Sequence, residues 1–439
     1  MEKIMKEMLA QIVLLLLGFQ SVAQNESKIL LQDVEQAIQL GLKNNADINL
    51  IRLQKMKANY QLQLSTASKL PVIMATFSGQ ASLQLATTPL PGEIFGQPGK
   101  SIDAQFGKKY NYNTGLGLQW NILDFQANKN IEVARLNAEI PESQKEGLQQ
   151  QVTTLITQYY YTAVISKKAI KIASQDLQVL DSVIVLTKDK FNKGLIDQMS
   201  FNQVLLNKLN VENTKNSSEK LLASSLSHLR LLCGVSQNTS LEVAELTPTS
   251  ISFPKVLKAD ADLKVLQVQY DLSLRKLAFE KSAHFPKISL NAYTGKQQYR
   301  DDFGIAFQQK SWTDYSFVGI AINVPIFMGT TLRTKVKIAK TESLLAQQTL
   351  KDAIDKSLNK DQQLFDEWQY HSTAQVLAYQ SFVISKENSE LMYKKFEQGL
   401  VSLDVYQISF DNYLKAEMSY LNSLISLYSS FATIKSRIQ

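Results

Sequence analysis

The stretch from Tyr110 to Phe125, YNYNTGLGLQWNILDF, constrains this chain more than any other. Successive side chains of a strand point to opposite sides. Read that way, Tyr110, Tyr112, Thr114, Leu116, Leu118 and Trp120 share one face, and Asn111, Asn113, Gly115, Gly117, Gln119 and Asn121 share the other. One face is apolar and the other polar. A soluble sheet alternates too, but here aromatic residues stand at both ends, Tyr110 and Tyr112 at one and Trp120 at the other. A strand of about eleven residues with such a rim suits a membrane-spanning barrel, with Leu116, Leu118 and Trp120 toward lipid.

The same object appears again at Tyr315 to Gly329, YSFVGIAINVPIFMG. Val318, Ile320, Ile322 and Val324 take the apolar face, and Phe317, Gly319, Ala321 and Asn323 take the other. Gly115 falls on Gly319, Gln119 on Asn323, and Trp120-Asn-Ile-Leu on Val324-Pro-Ile-Phe. The chain is built twice, and an internal repeat governs the whole architecture. Ile320 and Ile322 are the second pair of lipid-facing candidates.

Composition removes several classes. The net charge of +7 over 439 residues is spread out, with no basic block interleaved with aromatics, so nucleic acid is not an expected partner. The single cysteine, Cys233, excludes an intramolecular disulfide and reads as a small buried residue at a helix end. His228, His284 and His371 are too scattered for a metal site, so no metal or cofactor is expected. No G-x-x-x-x-G-K-[ST], H-E-x-x-H or G-x-S-x-G motif is present, so no enzyme is expected. Residues 1–23 read as a secretory signal, with Lys3 and Lys6 before the apolar run Ile12–Phe19 and small residues around Ala23. That run is too short to span a bilayer, and no other segment is long and apolar enough. Any span of the mature chain is therefore expected to be made of strands.

In chain order, the first repeat is expected over 24–232. A helix begins at Asp33, an N-cap with Gln36 three residues on, pauses at Asn44-Asn45, and is stopped by Pro71. Strands follow at about 72–85 and 110–122, separated by a long loop rich in proline and glycine. From Phe125 to Phe191 the apolar spacing becomes seven, with Ile156, Ala163, Ile170, Leu177, Ile184 and Phe191 in one row and Val152, Tyr159, Ser166, Ala173 and Leu180 in a second. That predicts a helix about 100 Å long, kinked once at Pro141. The turn Lys193-Gly194-Leu195 then folds the chain back into a helix over Ser200–Leu232. A linker at 233–258 has a short strand around Leu241 and Val243. The second repeat, 259–439, restarts the plan. Pro286 answers Pro71, strands are expected at about 287–295 and 315–326, a helix at Thr331–Phe396, and a turn at Gln398-Gly399-Leu400. The last helix carries Tyr406, Phe410, Tyr413, Tyr420, Leu424, Leu427, Phe431 and Ile434 on one stripe, with Glu417 its one polar member.

Four amphipathic strands cannot close a barrel, and an open edge in lipid leaves backbone groups unpaired at several kcal/mol each. Closure needs several chains. Two would give eight strands and a filled interior; three would give twelve and an open lumen, which the small polar inner set favours. Hairpins about 100 Å long likewise need neighbours to pack on.

The ordered, duplicated set of signals resembles the TolC family of outer-membrane efflux channels, over essentially the whole mature chain. The residues that carry it are the opening DVEQAIQLGLKNNADI, the LP and FP junctions at Pro71 and Pro286, GLQWNILDF and INVPIFMG leaving the strands, and the paired KGL and QGL turns. The resemblance implies a mixed α and β membrane protein: a trimeric 12-stranded β-barrel continued by a periplasmic barrel of coiled-coil helices. It implies a homotrimer in outer-membrane lipid, served by a periplasmic adaptor (membrane fusion) protein and an inner-membrane pump. The turns, with Gly194, Leu195, Gly399 and Leu400, would be the adaptor-docking tips. Asp404 stands near the acidic gate of the family and is a candidate pore constriction, with Ile408 where a second acid is expected. The function implied is a passive export duct of a tripartite efflux or type I secretion system. A periplasmic coiled-coil adaptor and an outer-membrane barrel enzyme are the alternatives; the first needs no lipid-facing strands, and for the second His284 is the one histidine near a strand.

Overall fold

The computed structural model describes residues 28–245, 257–258, 260–305 and 311–438. The expected signal at 1–23, residues 246–256 of the expected linker, and residues 306–310 of the second strand-connecting loop lie outside the described residues. In chain order the elements are β1 (Lys28–Leu31), α1 (Val34–Asn44), α2 (Ala46–Ala67), β2 (Val72–Ala81), β3 (Thr87–Pro91), a 3-10 turn (Gly92–Phe95), β4 (Ser101–Gln105), β5 (Tyr110–Asp124), α3 (Phe125–Asn192), α4 (Gln198–Leu232), β6 (Ser240–Val243), α5 (Ala261–Ser282), β7 (Lys287–Arg300), β8 (Thr313–Asn323), α6 (Thr331–Glu397) and α7 (Leu403–Ser436). They fall into two compact units.

One unit comprises Leu53–Ser143 and Lys264–Asp352. Its centre is a four-stranded antiparallel sheet of order β2-β5-β7-β8. The two repeats meet in the middle, where β5 pairs with β7, and among the described residues no strand pairs with the outer edges of β2 and β8. The strands differ in length from the sequence reading. The first stops at Ala81 rather than near 85, the third runs on to Arg300 rather than 295, and the fourth ends at Asn323 rather than 326. The third is longer because it follows β5 along nearly its whole length, from Tyr110↔Arg300 to Asp124↔Lys287. A bulge between Asn121 and Leu123 leaves Ile122 unpaired and brings Leu123 opposite Ile288.

The stretch expected as a long loop after the first strand holds a second, two-stranded sheet. Antiparallel β3 and β4 pair from Thr87↔Gln105 to Pro91↔Ser101, closed by the 3-10 turn and by Gly92 N–H donating to the Lys100 carbonyl at 2.7 Å. Pro89 and Pro91 read as strand breakers. In a two-stranded sheet, however, every strand has a free edge, and proline is tolerated there.

The other unit comprises the described residues up to Arg52, Gln144–Leu263 and those from Ala353 onward. Asp33 caps α1, accepting from Gln36 N–H at 2.7 Å, while Gln36 Oε1 accepts from Gln32 N–H at 2.9 Å. Asn45 explains the pause between α1 and α2: it is extended, and its Oδ1 accepts from Asp47 and Ile48 N–H at 2.9 and 3.2 Å. β1, which the sequence reading missed, pairs in parallel with β6, from Lys28↔Ser240 to Leu31↔Val243. Beneath that pair Leu31, Ile38, Ile156, Leu229, Cys233 and Leu241 form one buried cluster. α3 is helical throughout, Pro141 included. Its two apolar rows are used unequally. Ile156 and Ala163 of the first row and Val152, Ser166, Ala173 and Leu180 of the second are buried, while Tyr159 of the second and Ile170, Leu177, Ile184 and Phe191 of the first are half-buried. The α7 stripe is buried from Tyr406 to Ile434, with Phe431 half-buried, and Tyr406 stacks on Phe396 and Tyr161 on Tyr428.

Candidate functional site: sheet faces and hairpin turns

The sheet register gathers the two apolar stripes onto one face. Ile73, Leu118, Ala292 and Val318 form one cross-strand row. Trp120, Leu290 and Ile320 form the next, and Ile288 with Ile322 the one beyond. Leu116 lies between Ala75 and Thr294. Rows repeat every second residue, about 6.6 Å apart, so four such rows cover about 20–26 Å, close to the lipid-facing height of a membrane barrel. Leu116, Trp120, Ile320 and Ile322 are exposed, and Leu118 is half-buried. Beyond Leu116 the face turns mixed, with Phe77 and Thr114 in one row with Lys296, which pairs with Asp314 at 2.8 Å. Aromatic groups close both ends. Tyr110 packs edge-on against Phe303, and Tyr112 Oη accepts from Gly304 N–H at 3.3 Å. At the other end Trp120 Nε1 donates to the Lys69 carbonyl at 2.8 Å.

The opposite face corrects the expectation of a small polar set. β5 contributes Asn111, Asn113, Gly115, Gly117 and Gln119 as read, but β7 and β8 add Tyr293, Tyr315 and Phe317, which pack on one another at 5.8–6.2 Å between centroids. Met74 of β2 shares this face. Tyr293 covers the paired glycines Gly115 and Gly295. A Cβ on Gly115 would lie 2.7 Å from Gly295 Cα and 2.8 Å from the Tyr293 ring, so the tyrosine occupies the space that two glycines leave.

The two turns are built alike. Gly194 and Gly399 have φ of 69° and 74°, the left-handed region that glycine enters at no steric cost. In the first, Gly194 N–H donates to the Phe191 carbonyl and Leu195 N–H to that of Lys190, both at 2.9 Å. In the second, Gly399 donates to Phe396 at 3.0 Å and Leu400 to Lys395 at 2.9 Å. This is the Schellman closure of a helix end, in which the residue after the glycine usually packs back on the last turn. Here the residue it would meet is a lysine, Lys190 or Lys395, and Leu195 and Leu400 are each left 69% exposed. Lys190 instead reaches across to the second turn, 4.1 Å from the Phe396 ring centroid.

Asp404 lies exposed in the first turn of α7 and accepts from Ser200 Oγ at 3.4 Å, while Gln407 Nε2 donates to the Ser200 carbonyl at 3.0 Å. It is thus a bridge between the ends of two hairpins. Ile408 is exposed beside it. Asp197 caps α4, and the backbone N–H of Ser200 holds its carboxyl below the usual range. His228 stacks on Tyr159 and His371 lies edge-on to Tyr370. Among the described residues no group of three or more His, Cys, Asp or Glu is placed to hold a metal ion. Among the described residues, too, no helix is long and apolar enough to cross a membrane.

Two features carry no sequence signal that a period could reveal: the β1–β6 pairing, and a buried contact between α3 and α7 in which Tyr413 Oη donates to Asp176 Oδ1 at 3.0 Å. For the second, the stripe of the last helix marks Glu417 as its one polar member but gives no partner for it.

Solved structures share this fold at low sequence identity. A membrane protein from Pseudomonas aeruginosa superposes with a TM-score of 0.77 at 14% identity, covering 94% of this chain and 91% of its own. The CmeC outer membrane channel of Campylobacter jejuni does so at 0.74 and 17%, covering 92% and 85%. The MtrE outer membrane channel of Neisseria gonorrhoeae does so at 0.70 and 15%, covering 92% and 88%. No curated protein matches in sequence. The family described as Outer membrane efflux protein matches residues 37–235 and 253–435, one stretch in each repeat. It is a family of efflux proteins rather than enzymes, and it sets aside the coiled-coil adaptor alternative. A duplicated chain with a four-stranded sheet, two long helical hairpins and this match over most of its length belongs to the outer membrane efflux protein family.

Proposed function

We propose that this outer-membrane chain is one subunit of a trimeric duct that passes substrates out of the cell. An inner-membrane pump would supply them through a periplasmic adaptor, as part of a tripartite efflux or type I secretion system. The observation that carries the reading is the sheet: four strands, an apolar face about 20–26 Å tall, and two unpaired edges at β2 and β8. In lipid those edges must be paired, and a closed ring of identical chains pairs β8 of one copy with β2 of the next without adding any element. Three copies give twelve strands, enough for an open lumen once the aromatic groups on the inner face are accommodated. The exposed leucines at the hairpin turns fit a docking role toward the adaptor.

The test is the assembly and conductance of the purified full-length protein. A heat-resistant trimer from outer-membrane extracts, conducting ions in a planar bilayer, is the expected result. A monodisperse monomer in mild detergent, with its strand content intact, would overturn the reading.

A further inference from the structure

Glu417 is the one acidic member of the buried α7 stripe and is only 4% exposed. On the facing surface of α3 stands Asp176, 7% exposed. Asp176 Oδ1 accepts from Tyr413 Oη, but Asp176 Oδ2 is buried and meets no donor. The Glu417 carboxyl lines the same cavity as Asp176 and lies within hydrogen-bonding reach of it. A carboxyl donates only when it is protonated. Two ionised carboxylates buried side by side would repel each other and leave Oδ2 unsatisfied.

The other elements packed around the pair supply little compensation. α6 contributes Lys386, Glu390, Tyr393 and Lys394. α7 contributes Tyr406, Tyr413, Asp411 and Lys415. α4 faces it with uncharged groups, among them Gln203, Asn207 and Asn210, and Asn207 Nδ2 is already given to Asp411. Lys386 is the cation whose charge acts on both carboxyls.

We propose that Asp176 and Glu417 form a buried proton-binding site, in which one shared proton joins α3 to α7 and its release drives the two helices apart. The site makes the packing of these helices sensitive to pH. Burial pushes the Glu417 carboxyl up to about 8, with the Asp176 charge adding to it. Burial raises Asp176 as well, against the hydrogen bond from Tyr413. The unfolded chain releases this proton near 4.5 and the folded chain near 8, so the folded state binds more protons in between. The stabilisation is therefore complete below about pH 4.5, falls as the pH rises through about 8, and is absent above.

Infrared spectroscopy and thermal melting of the full-length protein in detergent test the site, whether or not the duct reading holds. Glu417→Gln keeps a donor toward Asp176 but carries no titratable proton, and Asp176→Asn is the reciprocal change. The wild type is expected to show a protonated-carboxyl C=O band at about pH 7 that titrates away with a midpoint near 8, and a melting temperature that falls between about pH 4.5 and 8 and levels off above. Glu417→Gln is expected to lose the band and flatten the slope, whereas Asp176→Asn leaves Glu417 buried, so its band persists with a midpoint below that of the wild type. Absence of the band from the wild type at about pH 7, an undiminished slope in Glu417→Gln, or an unshifted midpoint in Asp176→Asn overturns the proposal. The wild-type titration decides the first point alone, so it stands even if one variant fails to fold.

Discussion

At the scale of single residues, Leu195 and Leu400 stand out because their helix ends offer them nothing to pack on. Burying one on a partner would contribute roughly 1.5–3 kcal/mol, and three chains with two turns each multiply the effect by avidity. Changing both to Asp is expected to leave trimer assembly intact and to abolish export and cross-linking to the adaptor; normal export by the double variant would reduce the turns to connectors. Gly115 and Gly319 make a second residue-scale contrast. Gly115→Val forces a side chain into the Gly295 backbone and the Tyr293 ring, at about 1–3 kcal/mol of overpacking, whereas Gly319→Ala meets open space. Heat resistance of the assembled protein in detergent should drop for the first variant and hold for the second.

At the scale of elements, the end of α7 is fixed by a side chain rather than by the helix itself. Arg437, 3% exposed, donates to the Lys258 carbonyl at 2.9 and 2.7 Å and forms a two-pronged pair with Asp361 of α6. Arg437→Ala removes hydrogen bonds made by a charged group and strands the partners, at about 2–3 kcal/mol. Arg437→Lys should restore little, because an ammonium cannot reproduce the planar fork. The melting temperature of the two variants checks both statements. The β1–β6 pair is the other element-scale anchor. Leu31 is fully buried beneath it, so Leu31→Ala is expected to cost about 2–5 kcal/mol and to expose the β1 amides to hydrogen exchange.

For the whole molecule, the duct reading places the β3–β4 hairpin and the loop after β7 outside the cell, on the strand ends opposite the helices. Label or protease added to intact cells should reach residues between Leu85 and Tyr110 and between Lys296 and Thr313, and should miss Gly194. Labelling of Gly194 but not of the loops would invert the topology. Net charge and composition bear on none of this, since a charge of +7 spread along 439 residues says little about where a chain sits.

The sequence by itself determined what periodicity and turn chemistry can encode. Alternation marked the strands at Tyr110 and Tyr315, seven-residue spacing marked the long helices, and glycine marked both hairpin turns, because each of these is set by neighbours along the chain. Tertiary structure alone decided what depends on partners far apart. The same alternation that placed Gly115 and Gly319 in equivalent slots could not tell that a Cβ would meet the neighbouring strand's backbone at Gly115 and open space at Gly319. Prolines that break an isolated strand could not announce the β3–β4 pair, whose edges make no demand for their missing N–H groups. β1 is four residues with no repeat to betray it, and its register exists only because β6 lies alongside. Glu417 looked like a lapse in an apolar stripe until α3 brought Asp176 against it, because the cost of a buried charge depends on what the fold puts next to it.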